Sequence, residues 1–364
     1  YIFIDSIPWF LGRNINNIFG YINPKFIDFL NDKTWEIKDK RKRLFCWISD
    51  FEKSNGEGIT ANLFLSKLID TGDFNKNKIF IKNLSNILSY DQLENINKLN
   101  RGGKLTFVEK YIDPFFGILY LWYRYFRGNK VAFINFLPLW NFLLFLLLPP
   151  NTILGPITGT TTYSSDIKGF EKFFRKYLMP IQFKISNFIF LFRYKNLTFN
   201  TSNLKSVLSK KVIEKSEFNF IYNLYDLNSE NLNTEKKFDF IFYIRTYPSK
   251  GTSKIINFIN LLKKDFKIVT VGEKLNVDGI NEFGLLTREK VLDLCKSTKF
   301  TIISSENFYS LFCFDCISNG VRVFFNKEMN YEKTFEDDKK VFPIEFDNET
   351  KTINQILNKI KELN

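Results

Sequence analysis

Arg245 and Lys250 form a pair of cations that could hold a phosphate group. They flank the turn of "IRTYPSKG" (244–251), where a strand pattern ends and a helix pattern begins. A diphosphate is bound well by cations placed beside the backbone N–H groups of a helix N-terminus, and this turn offers both. Two solvated basic residues at a turn are the alternative interpretation.

Two carboxylates in "SSENFYSLFCFDCISNGVRVFF" (304–325) could bind the hydroxyl groups of a sugar. Glu306 directly follows an apolar strand pattern over 299–305, so its carboxylate is expected at the carboxyl edge of a sheet. Asp315 is expected in the helix that follows, which Gly320 ends. A carboxylate there can accept hydrogen bonds from sugar or ribose hydroxyls; a solvated helix residue is the alternative.

The same segment contains Cys313 and Cys316 in a Cys-x-x-Cys spacing, which can form a redox or a zinc site. No second pair of ligands accompanies them and their surroundings are apolar, so packing in the core explains them best. The chain has four cysteines and no histidine. The lack of histidine excludes Ser-His-Asp triads, Cys-His nucleophiles and His-bound zinc. The few cysteines, and a first segment without the basic start of a signal peptide, predict a cytoplasmic protein.

Two loops are rich in small residues. "SNGEGIT" (54–60) is predicted as a glycine turn between a strand and a helix, and it contains Gly56 and Gly58. It lacks the G-x-G-x-x-G spacing of dinucleotide-binding folds, and a plain flexible turn explains it equally well. "GPITGTTTYSS" (155–165) is a hydroxyl-rich loop at a strand end, which could close over a sugar or simply turn the chain.

Strand-length apolar runs alternate with helix patterns along most of the chain, which is typical of parallel α/β layers. In the first half we predict strands at 43–51, 130–136, 151–159, 196–201 and 218–223, and helices after the first strand and at 114–128 and 139–148. In the second half we predict strands at 238–245, 266–273, 299–305 and 321–325, and helices at 253–264, 287–297, 310–319 and 352–363. A polar linker over 224–237 separates two Rossmann-like halves, and the pattern predicts a ligand-binding cleft between them.

The net charge of +13 raises the question of an anionic partner. Most of the excess is lysine spread along the chain, whereas nucleic-acid binders concentrate Arg and Lys on one face, so we predict no nucleic-acid partner. The apolar run 131–148 is too short and too interrupted to cross a bilayer. The aromatic helix 114–128 is the better candidate for a peripheral contact with an anionic membrane, with core packing as the alternative.

The second half resembles the C-terminal domain of the retaining GT-B glycosyltransferases that have a Glu-x7-Glu signature (glycosyl transferases group 1, family 4-like). Three matching segments carry the resemblance, in the family's order: Arg245 with Lys250 and Gly251, the helix pattern "GLLTREKVLDLCKST" (284–298), and Glu306 with Asp315 and Gly320. In the first half, "GPITG" looks like the Gly-Pro-Ile-Gly-Gly loop of some members, and "NGEG" stands at the place of their first glycine-rich loop. The resemblance covers about 43–364.

The resemblance implies a GT-B fold, in which two Rossmann-like domains face each other across a cleft. It implies that Arg245 and Lys250 hold the donor diphosphate. Glu306 would be the catalytic residue that contacts the transferred sugar, and Asp315 would bind the ribose. Further contacts to the nucleotide sugar are implied for Gly251, Gly284, Thr287, Asn307, Phe308, Gly56 and Gly58.

The chain departs from the family's pattern in two ways. Its acidic pair is nine residues apart and not eight, with Asp in the second place, and the histidine that the family often has near the sugar is missing. A catalytically inactive relative, serving as a binding or scaffold subunit in surface-glycan assembly, is therefore the alternative to an enzyme. The missing histidine favours retention of configuration, because an inverting transfer needs an enzymic base and a same-face transfer can use the leaving phosphate.

We therefore predict an acceptor-binding domain over 1–228, with 1–42 as an unassigned extension, a nucleotide-sugar-binding domain over 229–350 and a C-terminal helix over 351–364. The predicted activity is the transfer of a sugar from a nucleotide-diphosphate sugar to a glycan or lipid-linked acceptor in polysaccharide biosynthesis. Neither a metal nor a cofactor is expected. The predicted location is the cytoplasm, including the inner face of the cytoplasmic membrane.

Overall fold

A computed structural model gives the fold of the greater part of the chain. The residues that it describes are 43–49, 51, 56–82, 87–90, 107–135, 137–159, 161, 169–225, 235–245, 252–303, 308–329, 331, 340–346 and 348–363. They form two compact units: the first runs up to Ile157 and includes 188–197, and the second takes 158–187 and the chain from Thr198. The contacts thus assign 198–225 to the second unit, whereas the sequence pattern assigned it to the N-terminal domain. The predicted domain boundaries stay a prediction.

The first unit is built on a five-stranded sheet. Its strands are β1 (Leu44–Ile48), β2 (Ile79–Lys82), β3 (Ile87–Ser89), β4 (Lys130–Ile134) and β5 (Ile153–Leu154). The spatial order is β3-β2-β1-β4-β5, parallel except for β3, which runs antiparallel to β2. Three helices of this unit are α1 (Gly56–Asp70), α2 (Phe107–Phe126) and α3 (Phe142–Leu147).

β1 is the central strand of this sheet, and its sequence explains why. All five residues of "LFCWI" are buried, as is typical of a parallel strand that is covered on both faces. Gly117 lets α2 lie directly against the sheet, since a Cβ there would come within 2.6 Å of the Trp47 ring. The predicted strands at 43–51 and 130–136 are confirmed, whereas only Ile153–Leu154 of the run 151–159 joins the sheet.

A long helical segment follows, in three parts: α4 (Gly169–Phe173), a π-helical stretch (Phe174–Leu178) and α5 (Met179–Arg193). The π-helical stretch has a cause in the sequence. Pro180 has no N–H to donate to the carbonyl four residues earlier, and its ring would clash with that carbonyl. The wider turn absorbs this, and the Met179 N–H bonds to Phe174 O instead.

The segment 197–217 follows the sequence prediction only in part, since two residues of the strand predicted at 196–201 form a strand. β6 (Leu197–Thr198) and β7 (Ser216–Glu217) pair with each other in a two-stranded sheet of their own, with the helix α6 (Lys210–Glu214) before β7. The strand predicted at 218–223 is wrong. Asn219 has a left-handed backbone (φ 58°), and its side-chain oxygen accepts a hydrogen bond from Ser202 N at 2.7 Å, so the chain turns where a strand would have to continue.

The second unit contains a six-stranded sheet. Its strands are β8 (Phe238–Ile244), β9 (Ile268–Gly272), β10 (Asn281–Glu282), β11 (Thr298–Ile303), β12 (Arg322–Asn326) and β13 (Val341–Ile344). Its helices are α7 (Thr252–Leu262), α8 (Arg288–Lys296), α9 (Leu311–Ser318) and α10 (Glu349–Leu363). All paired strands are parallel, in the order β10-β9-β8-β11-β12-β13. The strands and helices predicted for this half are confirmed to within a few residues at their ends.

Aromatic side chains fill the core of the second unit. Phe240 lies between Phe266 and Phe300, with ring centroids 5.3 and 5.5 Å away, and Phe300 in turn contacts Phe324. Isoleucines of α10 pack against this cluster. Burying a Phe side chain stabilises the fold by about 1.5–3 kcal/mol, so the aromatic stack holds β8, β11 and β12 in register.

Among the described residues, no helix is both long enough and apolar enough to cross a membrane. The run 131–148, for which a spanning helix had to be considered, forms β4, a loop and the six-residue helix α3.

Candidate functional site

The order of the strands in the second unit marks one place for a ligand. The chain first builds the sheet outward from β8 through β9 to β10, then returns to the other side of β8 with β11 and continues through β12 to β13. β8 and β11 are therefore adjacent parallel strands at the point where the order reverses. In open parallel sheets, ligands bind at the carboxyl ends of the strands at this reversal point.

The predicted charged residues follow these two strands. Arg245 comes directly after β8 and is exposed. Its carbonyl oxygen accepts a hydrogen bond of 2.5 Å from the Thr252 hydroxyl, at the start of α7, so the two ends of the loop 246–251 are tied together. Lys250 and Gly251 in this loop lie outside the described residues, and so do Glu306 and Asn307 after β11.

A glycine that the sequence analysis did not single out shapes the same edge of the sheet. Gly272 ends β9 with φ +102°, and a Cβ there would lie 2.2 Å from the carbonyl oxygen of Ile244, the last residue of β8. The Glu273 N–H bonds to that same oxygen at 3.0 Å. Only glycine fits this conformation and this close approach, so Gly272 sets how closely β9 and β8 meet beside Arg245.

Gly284 is brought to this edge as well. Its carbonyl accepts a hydrogen bond from Gly272 N at 2.9 Å, and its φ of +70° is the left-handed conformation that favours glycine. Thr287 is the N-cap residue of α8 and is exposed, but its side chain makes no capping hydrogen bond. The segment predicted to lie near the nucleotide base thus leads from the edge of β9 to the start of α8.

Asp315 is not a solvated helix residue, which corrects the alternative interpretation of this position. It lies in α9 and is 4% exposed. Its Oδ1 atom accepts hydrogen bonds from Arg288 Nη2 at 2.8 Å and from the Tyr225 hydroxyl at 2.7 Å. Arg288 Nη2 also donates to the Tyr225 oxygen at 2.7 Å, so the three groups form a closed triangle. A ribose hydroxyl would have to bind through Oδ2.

Burial and the nearby Asp315 charge raise the pKa of Tyr225 well above its usual value. The phenol therefore stays protonated and acts as a hydrogen-bond donor to the carboxylate. The triangle joins three parts of the second unit: the segment that ends at Tyr225, the first residue of α8 and the middle of α9.

Arg288 and Tyr225 were missed in the sequence analysis, and one signal for Arg288 was available. A cation in the first turn of a helix is unfavourable, because the helix dipole is positive there. An arginine as the first residue of α8 therefore indicates a carboxylate close by. Tyr225 has no such local signal, since its partners lie 63 and 90 residues away in sequence.

Phe308 contributes its side chain to the core and not to a ligand surface. The ring is fully buried and packs against Phe325 and Phe314, with centroids 4.8 and 6.0 Å away. The contact with the nucleotide sugar that the resemblance implies for Phe308 would therefore be made by its backbone N–H group, and that contact stays a prediction.

The helix predicted to follow Glu306 is confirmed. Ser310 caps α9 by accepting a hydrogen bond from Cys313 N at 3.2 Å. At the other end, Gly320 (φ +74°) donates to Ile317 O and Val321 donates to Cys316 O, at 3.1 and 3.0 Å. This pair of bonds is a Schellman motif, which requires a left-handed residue at the position of Gly320.

All four cysteines are buried and none is in a disulfide. Burial raises the pKa of the thiols of Cys46, Cys313 and Cys316. A buried thiol that stays protonated is a poor nucleophile. Cys313 and Cys316 therefore pack in the core, as the sequence analysis favoured.

Gly56 and Gly58 differ from their prediction as turn residues. Both lie in the first turn of α1, which begins at Gly56; the preceding 52–55 lie outside the described residues. Any contact that these glycines make with a ligand would be through the N-terminus of this helix.

The first unit has a polar cluster at the carboxyl end of β1 that the sequence analysis also missed. The buried Asp113 of α2 accepts hydrogen bonds on Oδ2 from the Ser49 hydroxyl and, at 3.1 Å, from the Trp47 indole N–H. The Lys82 ammonium at the end of β2 lies 5.9 Å from the Trp47 ring. The cluster ties α2 to the edge of the sheet.

No family model and no curated protein sequence matches the chain. Among solved structures, sucrose-phosphate synthase from Thermosynechococcus elongatus is similar over 87% of this chain and 90% of its own, with a TM-score of 0.50 and 11% identity. The chain has the GT-B fold. The predicted fold class is thereby confirmed.

HepE of Anabaena, solved with UDP-glucose, is similar over 88% and 90% of the two chains at 9% identity, with a TM-score of 0.49. UDP-GlcNAc 2-epimerase from Methanocaldococcus jannaschii is similar over 86% and 92%, at 10% identity and a TM-score of 0.48. Identities this low establish the fold alone.

Proposed function

We propose that the chain is a glycosyltransferase that takes a sugar from a nucleotide-diphosphate sugar and transfers it to a glycan or lipid-linked acceptor. One observation carries the proposal. Arg245, and in sequence Lys250, follow β8, and Glu306 follows β11, so the residues of the family motif come directly after the two strands at the reversal point of the sheet. The GT-B fold supports the same activity.

In this proposal the diphosphate lies against the loop after β8. Arg245 and Lys250 neutralise its charge, together with backbone N–H groups at the start of α7. Glu306 accepts hydrogen bonds from the hydroxyls of the transferred sugar, and Asn307 and Phe308 contribute backbone N–H groups. Gly284 and Thr287 lie beside the base, and Asp315 binds the ribose through Oδ2.

We propose transfer with retention of configuration and without a metal. The bond between the anomeric carbon and the leaving phosphate oxygen breaks, and a bond from that carbon to the acceptor oxygen forms on the same face of the sugar. The acceptor proton moves to the leaving phosphate. This route needs stabilisation of the leaving charge, which two cations and a helix N-terminus provide, and it needs no histidine.

The acceptor is proposed to be a glycan or a lipid-linked sugar in surface-polysaccharide synthesis, met at the inner face of the cytoplasmic membrane. The stretched spacing of Glu306 and Asp315 favours a second candidate, a catalytically inactive GT-B relative that binds in a glycan-assembly complex. A scaffold of this kind would bind a nucleotide sugar without turning it over.

The donor site is tested by thermal unfolding in the presence of UDP-, GDP- and ADP-sugars. One of them should stabilise the fold by about 2.7 kcal/mol at a hundredfold excess over its Kd. Lys250→Ala should remove this stabilisation, and Lys264→Ala, an exposed lysine after α7, should retain it. If no nucleotide sugar raises the Tm of the wild type, the assignment of Arg245 and Lys250 is wrong.

A further inference from the structure

The helical segment 169–193 exposes a row of large apolar side chains. Phe192 is 74% exposed, Phe188 63% and Phe170 76%. We call the whole row the apolar stripe. Its members are Phe170, Phe173, Tyr177, Ile181, Ile185, Phe188 and Phe192.

The apolar stripe follows helical spacing. Successive members are three or four residues apart, and along α5 this spacing places Ile181, Ile185, Phe188 and Phe192 on one face of the helix. Neighbouring rings along it touch, with centroids 5.2 Å apart for Phe173 and Tyr177 and 5.0 Å apart for Phe188 and Phe192. At 1.5 Å per residue, the part of the row on α5, from Ile181 to Phe192, is about 17 Å long.

The opposite face of α5 is already packed in the fold. Met179, Phe183, Ser186 and Phe190 are buried there. The apolar stripe is therefore a second apolar face of the same helix. An ordinary surface helix has a polar face in this place, so the stripe indicates a binding surface.

The other face of α5 is covered in part by α3. Within the first unit, Tyr194 donates a hydrogen bond of 2.6 Å to Phe145 O, and the Phe145 ring packs on the ring of Phe190 with centroids 4.7 Å apart. The apolar stripe lies on the side of α5 away from these contacts. A large exposed apolar surface of this kind marks a protein–protein or membrane contact.

The charges along the segment select the partner. Six basic residues and one acidic residue, Glu171, lie in 169–195; the basic ones are Lys172, Arg175, Lys176, Lys184, Arg193 and Lys195. Lys172, Lys176 and Lys184 are exposed beside the stripe. Two copies of a chain with a net charge of +13 would repel each other across such a surface, whereas an anionic surface would be attracted.

We propose that the apolar stripe lies in the surface of an anionic lipid bilayer. The helix would lie parallel to the membrane, with its aromatic and aliphatic side chains at the boundary of headgroups and acyl chains and its lysines at the anionic headgroups. This surface differs from helix 114–128, which the sequence indicated. The inference rests on the proposed function in one respect: a lipid-linked acceptor would be reached at this membrane surface.

The test is co-sedimentation with vesicles of phosphatidylcholine alone and of phosphatidylcholine with one quarter phosphatidylglycerol. The wild type should bind the anionic vesicles and bind the neutral ones weakly. The double variant Phe188→Ser/Phe192→Ser should lose about tenfold or more in affinity through lost apolar burial. Lys172→Ser/Lys176→Ser should lose about twenty-fivefold in affinity for anionic vesicles and little for neutral ones, because each lysine adds about a fivefold affinity.

Two matched controls lie on α7 and just after it, away from the apolar stripe: Leu261→Ser and Lys264→Ser should bind as the wild type does. Three results would overturn the proposal. The first is that the wild type binds both kinds of vesicle equally or binds neither. The second is that the wild type is a dimer and the Phe188→Ser/Phe192→Ser variant is a monomer. The third is a large fall in Tm for this variant, which would mean that the chain itself covers the stripe.

Binding to vesicles is measured without a nucleotide sugar, and the donor test is made without vesicles. A failure of the membrane proposal therefore leaves the donor site standing, and a failure of the donor site leaves the membrane contact standing.

Discussion

Removing the Arg288 guanidinium should destabilise the second unit more than removing the Asp315 charge does. The Asp315 side chain is 6% exposed and the Arg288 side chain 26%. In Arg288→Met the carboxylate stays buried with only the Tyr225 hydroxyl of its two partners, whereas in Asp315→Asn the arginine can reach water. Loss of one partner from a buried pair costs about 3–5 kcal/mol. The remaining tyrosine bond and the partial exposure of the pair place Arg288→Met near the lower end, at about 3 kcal/mol.

For Asp315→Asn we expect the free energy of unfolding to fall by about 1–2 kcal/mol, because the amide oxygen still accepts a hydrogen bond. The double variant should cost clearly less than the sum of the single ones, since the two groups contact each other. Lys299→Met is the matched control. Lys299 pairs with Asp239 at 2.9 Å but is 45% exposed, and a surface pair of this kind contributes about 0–1 kcal/mol.

The assay must follow the second unit specifically. All five tryptophans of the chain lie before residue 141, so tryptophan fluorescence does not follow that unit. Labelling of the buried thiols of Cys313 and Cys316 as a function of urea concentration, read by mass spectrometry, does. If Arg288→Met lowers the free energy of unfolding of the second unit no more than Lys299→Met does, the triangle does not hold α8 to α9 and the reasoning fails.

Three further predictions concern the backbone, the pH dependence of stability and the cysteines. Gly272→Ala should lower the free energy of unfolding in urea by about 3 kcal/mol or more, because the added Cβ would clash with Ile244 O. Gly279→Ala is the control: its φ is +84° and the space around it is open, so it should lower the free energy of unfolding by only about 1 kcal/mol. The raised pKa of Tyr225 means that its contribution to stability is complete below pH 10.0, its unfolded value, and is lost as the pH rises further. The free energy of unfolding, measured by urea titration above pH 10, should therefore fall less steeply with pH in Tyr225→Phe than in the wild type, by about 1.4 kcal/mol per pH unit; an unchanged slope would contradict the burial of this phenol. The four cysteines are Cys46, Cys295, Cys313 and Cys316. None of their thiols should react with a thiol reagent in the native protein, and all four should react in guanidinium. A thiol that reacts rapidly in the native protein would contradict the assignment of the cysteines to the core.

Periodicity was sufficient for four strands of the six-stranded sheet (β8, β9, β11 and β12) and for the helices α7 to α10, because each of these elements has a strong local pattern, whereas β10 and β13 were not predicted. β8 and β11 are rich in phenylalanine and isoleucine, and α9 has a serine at its start and a glycine just past its end. Those are signals that short stretches of sequence carry by themselves. The parallel direction of these strands follows from the alternation of strands and helices, since parallel neighbours need a crossover connection.

The segment 196–223 was harder because its conformation depends on distant partners. "FNFIYN" has the composition of a strand, but the left-handed Asn219 bends the chain there. The strand predicted at 196–201 is present only as the two residues of β6, and the two-residue strand β7 has too little pattern to be found. Gly56 and Gly58 have the composition of a turn, whereas they lie in the first turn of α1.

In the site, sequence gave the residue types but not their partners. The position of Asp315 on a helix was predicted, whereas its burial depends on Arg288 and Tyr225, which are 27 and 90 residues away. The role of Gly272 depends on the carbonyl of Ile244 in a neighbouring strand. Contacts between distant residues leave no periodic trace in a single sequence, so only the structure brings them together.

The central claim, that the chain turns over a nucleotide-diphosphate sugar, is tested most directly by the release of free nucleoside diphosphate from the donor that stabilises it. The wild type should release nucleoside diphosphate when lipid-linked or glycan acceptors are supplied. Glu306→Ala should lower the rate by about a hundredfold or more while still binding the donor, because Glu306 acts on the transferred sugar. Equal release by the wild type and Glu306→Ala, with donor binding retained in both, would contradict the enzyme and favour the inactive relative.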